Sequence, residues 1–168
     1  MASTLESLRA DIRLQDQAEL SLGDTLDVKA SILLLIVIFL EGMSVGLIST
    51  RWPARSQALN FQLAGAVLLA ISGILVLVVI WPRDYAAESQ SRASELLAYF
   101  EGNPGAEGDP AVAEAILKED ISKALERVTD NHAINATKSR ILYFAFYVAA
   151  LAMAFEVVSA LMALRPLL

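Results

Sequence analysis

The chain has 168 residues, of which 56% are hydrophobic, with a mean hydropathy of +0.53 and no cysteine. Apolar content this high places it among integral membrane proteins, and the missing thiols exclude disulfides, thiol catalysis and Cys-based zinc sites. Its net charge of -6, with 13 basic residues interleaved among 19 acids, argues against a nucleic-acid partner, which needs a basic stripe.

In chain order, residues 1–30 form a polar leader in which Leu5, Leu8 and Ile12 recur at three and four, the spacing of an amphipathic helix. The first apolar run begins only at Ser31, behind this acidic leader and with no small-residue cleavage site after it, so the leader is expected to be retained. Residues 31–50, containing SILLLIVIFLEGMSVGLIS, are long enough at 1.5 Å per residue to cross a hydrocarbon core of roughly 30 Å. Residues 51–60 form a short loop, and 61–81, FQLAGAVLLAISGILVLVVIW, form a second span without a charge.

Residues 82–140 read as a helical hairpin. Ala93, Leu96, Leu97 and Phe100 mark one helix, and Val112, Ile116, Ile121, Leu125 and Val128 the other. The break EGNPGAEGDP between them ends in Asp109 as an N-cap, with Pro110 at the first helical position. No Gly or Pro occurs from Ala111 to Leu164, so this helix is expected to run on into a third span at 141–164, followed by a tail at 165–168. A rod of that length could carry motion to the membrane. The expected fold is all-α, with three transmembrane helices and a small cytoplasmic helical cap.

Orientation follows from basic residues. The leader and the hairpin carry ten of them, and the opposite side only Arg51, Arg55 and Arg165. The positive-inside rule therefore places the N-terminus and hairpin in the cytoplasm and the C-terminus outside. Trp52, Trp81, Tyr143 and Tyr147 suit the interfacial aromatic belts.

Two carboxylates fall within the spans, Glu41 in the first and Glu156 in the third. Such residues cost several kcal/mol unless they face a partner or water, which makes them candidates for a polar pore lining together with Ser44. The other reading of Glu41 is a protonated carboxyl bonded to a neighbour. Gly42 and Gly46 form a GxxxG pair suited to close helix packing. Asp27, Lys29, Pro82 and Lys138 sit at the membrane boundary. Anchoring and helix termination are the simpler reading there, and a ligand or gating role is the alternative. His132, the single histidine, lacks the companions of a metal site and reads as a packed or hydrogen-bonded helix residue. Asn135-Ala-Thr137 matches a glycosylation acceptor by chance on the cytoplasmic side. No phosphate loop, nucleophile elbow or catalytic set is present, so a non-enzyme without metal or cofactor is expected.

LDVKASILLL (Leu26 to Leu35), IWPRDY (Ile80 to Tyr85) and NHAINATKSRILYFAFYVAAL (Asn131 to Leu151) resemble the Pycsar transmembrane effectors. The resemblance implies a bacterial inner-membrane effector of anti-phage immunity, and with the orientation read from the basic residues its C-terminus is expected to be periplasmic. It would sense a cyclic pyrimidine mononucleotide (cUMP or cCMP) made by a partner cyclase and then impair the membrane. No conventional cyclic-nucleotide-binding domain is evident. Arg83, Arg92, Lys118, Lys123 and Arg127 are the cations that could hold the single phosphate. The resulting expectation is a homo-oligomeric, nucleotide-triggered effector in the lipid bilayer. The alternatives are a constitutive ion or proton channel or transporter subunit, and a membrane scaffold that recruits a protein partner.

Overall fold

A computed structural model of the chain describes the backbone of residues 2–51, 57–83, 85, 90–103, 105 and 108–164, and the side chains of all of these but 2–4, 49–51, 90–94, 96, 163 and 164. Trp52, Arg55, Arg165, the tail 165–168 and the side chains of Arg51, Arg92, Ala93 and Leu96 thus lie outside the described residues. Among those described every regular element is helical: α1 (Ala2–Arg51), α2 (Gln57–Ile80), α3 (Gln90–Gly102) and α4 (Pro110–Leu164). The fold is all-α.

Local chemistry sets the helix ends. α1 contains no proline over its 50 residues, and Pro53 follows it in the sequence. α2 closes with the Trp81 amide donating to the Leu77 carbonyl at 2.9 Å, before Pro82, which has no amide hydrogen to continue the ladder. The Asn103 side-chain amide covers the Tyr99 carbonyl at the end of α3 (2.9 Å). Asp109 caps α4, its carboxylate accepting from the Ala111 amide at 2.8 Å. Three helices, α1, α2 and α4, contain windows long and apolar enough to cross a membrane.

The chain divides into two compact units. The first comprises Met1–Gly23 and Arg83–Ala136, and the second Asp24–Pro82 and Thr137–Leu168.

In the first unit α1 and α4 lie parallel, because successive partners stay 111 to 116 residues apart in sequence. The seam uses Arg9, Ile12, Asp16, Glu19 and Gly23 from α1, in alternating steps of three and four. That is the spacing by which helices supercoil side by side. The facing residues of α4 are Asp120, Ala124, Arg127, Asn131 and Asn135. Of the expected apolar stripes, Ile12 is buried, but Leu8 and Leu125 are 45% and 52% exposed, so polar side chains fill most of the contact. Charges fix its register: Arg9 of α1 meets Asp120 of α4, whereas Asp16 of α1 meets Arg127. A slip of seven residues either way would set Arg9 against Arg127 or Asp16 against Asp120, a like-charge penalty that disfavours the wrong alignment.

The second unit is an antiparallel bundle of three helices. α1 and α4 run the same way (Asp27 with Lys138, Ser44 with Glu156), and α2 runs against both (Ala58 with Ser159, Ser72 with Ala145). Its core combines Ala30, Leu33, Val37, Leu69, Val76, Val79, Ala145, Ala149 and Ala152. Small residues prevail because lipid chains are as apolar as leucine, so helices in a membrane gain by close backbone approach and interhelical hydrogen bonds. Ser72 donates to the Ala145 carbonyl (2.8 Å) and Ser159 to the Ala58 carbonyl (2.7 Å). Large side chains such as Leu35, Phe39, Tyr143 and Tyr147 point outward, each at least 67% exposed.

Candidate functional site

Within the bundle, the Ser44 hydroxyl, only 1% exposed, donates to Glu156 Oε1 at 2.6 Å. Gln62, equally buried, brings its side-chain amide to the Ser44 carbonyl at 3.5 Å. Glu41 lies one turn before Ser44 and within electrostatic reach of Glu156. Its Oε2 is buried with no hydrogen-bond partner among the described residues. Both intramembrane carboxylates thus belong to one polar cluster, in which Glu156 Oε1 is bonded and Glu41 Oε2 is not, among the described residues.

The glycine that accommodates this cluster is neither of the expected pair. A Cβ on Gly42 or Gly46 would meet nothing within 4 Å, whereas one on Gly65 would come 2.8 Å from Glu156 Oε1 and 3.3 Å from the Ala152 carbonyl. Gly65 therefore lets α2 approach α4 beside the carboxylate.

Of the boundary residues, Asp27 and Lys138 are brought together. The Lys138 ammonium donates to both Asp27 oxygens, at 2.7 and 3.0 Å. The lysine side chain is 1% exposed and the aspartate 37%. Where an interfacial cation would extend to the headgroups, Lys138 turns inward, because Asp27 of α1 faces it within the bundle. Lys29 and Pro82 are exposed.

In the first unit Glu19 is the hub. It accepts from the Asn135 side-chain amide twice, at its backbone carbonyl and at Oε2, both 2.7 Å, and Oε1 lies 2.9 Å from His132 Nδ1. Asn135 in turn accepts from the Tyr85 hydroxyl at 3.0 Å. A Cβ on Gly23 would stand 2.7 Å from that hydroxyl and 3.2 Å from Asn135 Oδ1, so glycine is required for Tyr85 to seat. Asn135 is 1% exposed and fully engaged, which leaves no glycan acceptor there. His132 is hydrogen-bonded as expected, yet its ring stands outward at 70% exposure.

The Asn135 amide, aided by His132, holds the Glu19 carboxyl below the usual carboxylate range against the opposing effect of burial. A carboxyl lowered in the folded state stabilises it above the unfolded value, and that contribution disappears as pH falls through the folded one. Glu19→Gln is therefore expected to lower thermal stability in detergent at about pH 7 and to flatten its decline toward about pH 3. Parallel acid limbs for the variant and the parent would show that Glu19 does not report on the seam.

Of the five phosphate-binding candidates, the Arg92 side chain lies outside the described residues, and the other four have different settings. Lys118 pairs with Glu114 (2.7 Å) and Lys123 with Glu119 (2.8 Å) on an exposed face of α4. Arg83 is half-buried on the segment after α2. Among the candidates with described side chains, Arg127 is the one paired across the seam, its Nε 3.5 Å from Asp16 Oδ2. Sequence reasoning missed Asp16, Glu19, Asn131, Asn135, Tyr85, Gly23 and Gly65. The available signal was the alternation of three and four, which holds in polar residues where an apolar stripe was sought.

Comparison with known proteins gives a match to the family model described as the Pycsar effector protein domain, over residues 12–166. No curated protein and no solved structure matches the chain.

Proposed function

Because this chain belongs to the Pycsar effector family, and is thereby a bacterial membrane effector of anti-phage defence answering a cyclic pyrimidine signal, we propose that it senses cUMP or cCMP from a partner cyclase through the first unit, assembles with its own copies and impairs the inner membrane. The observation that carries the membrane step is the Glu41, Ser44 and Glu156 cluster within a bundle of three span-length helices. A buried carboxylate oxygen without a partner is costly in that setting and serves a polar path better than a structural contact.

The leader and hairpin face the cytoplasm and the C-terminus the periplasm, the orientation that the basic residues favour. The protein acts without catalysis. A Cβ on Gly42 or Gly46 would meet nothing within 4 Å, and their face meets a second copy.

Co-expression with an active cyclase is expected to depolarise cells, and with a catalytically dead one to leave them polarised. Equal depolarisation in both would remove the nucleotide trigger and favour a constitutive channel. Gly46→Leu, which the single bundle accommodates, is expected to reduce crosslinked oligomer and killing together. Unchanged crosslinking would separate this face from assembly.

A further inference from the structure

We propose that Arg127 is the anchor for the cyclic phosphodiester of the nucleotide, and that Asp16 is a resident counter-ion which this phosphate displaces. The proposal rests on the nucleotide reading above and names its site.

Among the described residues, the polar contacts along the seam of the first unit are short except at Asp16. Arg9 Nη2 reaches Asp120 Oδ2 at 2.9 Å, and Glu19 takes its donors at 2.7 to 2.9 Å. At Asp16 the contacts lengthen: the Asn131 amide donates at 3.3 Å, and Arg127 Nε lies at 3.5 Å, an ion pair without a hydrogen bond. That Nε is buried and unbonded among the described residues. The Arg127 side chain is 18% exposed and Asp16 15%. Arg9 with Asp120 and Asp16 with Arg127 share the same separation, since 120 minus 9 and 127 minus 16 are both 111. The helices are thus close enough for a short bond, and the looseness belongs to this pair. A buried charged donor left unsatisfied in a native structure calls for an explanation, and a role in binding an anion is one.

The chemistry of a cyclic nucleotide suits this unbonded donor. A cyclic phosphodiester carries one negative charge over two non-bridging oxygens, the acceptor geometry that a guanidinium fork engages bidentately. Exchanging it for the Asp16 carboxylate keeps one anion on Arg127 while detaching α1 from α4 at that point. The ligand therefore binds the detached arrangement better, the differential affinity that a population shift requires. Lys118 and Lys123 offer no such exchange, since their glutamate partners lie on the same helix.

The test is calorimetric titration of the full-length protein in detergent with cyclic UMP and with cyclic CMP. Asp16→Asn removes the competing charge and is expected to tighten binding about tenfold, whereas Arg127→Gln removes the fork and is expected to weaken it by on the order of a hundredfold. Arg127→Lys, which keeps the charge without the fork, should fall between. Opposite signs at Asp16 and Arg127 are what a purely structural pair does not produce, because both variants would then weaken binding through lost folding. The sign at Asp16 can be read even if Arg127→Gln fails to fold. Binding by the parent that is unchanged in Arg127→Gln, or weakened in Asp16→Asn, overturns this site and leaves the nucleotide reading intact. Failure of the parent to bind either nucleotide overturns both.

Discussion

Asp27→Ala is expected to destabilise the transmembrane bundle far more than Lys138→Met, although both break the same ion pair. The asymmetry comes from burial: the lysine side chain is 1% exposed and the aspartate 37%. Removing Asp27 strips an interior ammonium of the carboxylate that receives two of its hydrogen bonds, a loss of about 3–5 kcal/mol for a buried pair deprived of one partner. Removing Lys138 leaves a carboxylate that water can still reach, and methionine fills the space of the lysine stem, so the loss is about 1–2 kcal/mol. The double variant Asp27→Leu with Lys138→Met should recover most of the stability, as buried ion pairs replaced by apolar groups of similar volume often do. Thermal unfolding in a single detergent measures all three. Equal losses from the two single variants would mean that the aspartate is not the main support of the buried charge.

Glu156→Leu and Glu41→Leu are expected to leave the bundle inserted and folded while abolishing membrane damage. The structural cost at Glu156 is one hydrogen bond, since Ser44 loses its acceptor. That amounts to about 1 kcal/mol and is reduced if the hydroxyl turns to a carbonyl of its own helix. Set against it is relief from placing a charge in a span, roughly 2.5–3.5 kcal/mol at the centre of a helix on insertion scales. Stability should thus hold or rise in both variants, and activity should fall with removal of the polar path. Glu41→Gln keeps the size and bonding groups without the charge, so it should preserve assembly and alter conductance. The measurements are crosslinking, for assembly, and dye-reported depolarisation on co-expression with an active cyclase. A Glu41→Leu protein that assembles and depolarises like its parent would make the carboxylate incidental.

The spans, their helical character and the Asp109 cap were legible in the amino-acid order because each depends on one segment alone. A run of about nineteen apolar residues is long enough to cross lipid whatever surrounds it, and an aspartate ahead of a proline caps the helix that follows it. The family resemblance was legible for the same reason, as its short motifs are read in place. The phosphate candidates were chosen only as cations in the hairpin, and one criterion could not tell Lys118, closed by Glu114 on its own helix, from Arg127, which faces Asp16 on another.

Pairing between helices was decided by the tertiary structure. Periodicity shows that a helix has a face, but it does not show which residues stand opposite. Between α1 and α4 the hydrogen-bonded partners lie 111 or more residues apart, and alternation in charged and amide side chains does not register as an amphipathic stripe. Lys138 reads as an interfacial cation until Asp27 is known to face it. Gly42 and Gly46 fit a packing motif by spacing, but within the chain the close approach beside the carboxylate is at Gly65, because the position of Glu156 on a neighbouring helix determines where a Cβ has no room. Hydropathy and capping belong to one helix, whereas register and close packing belong to two.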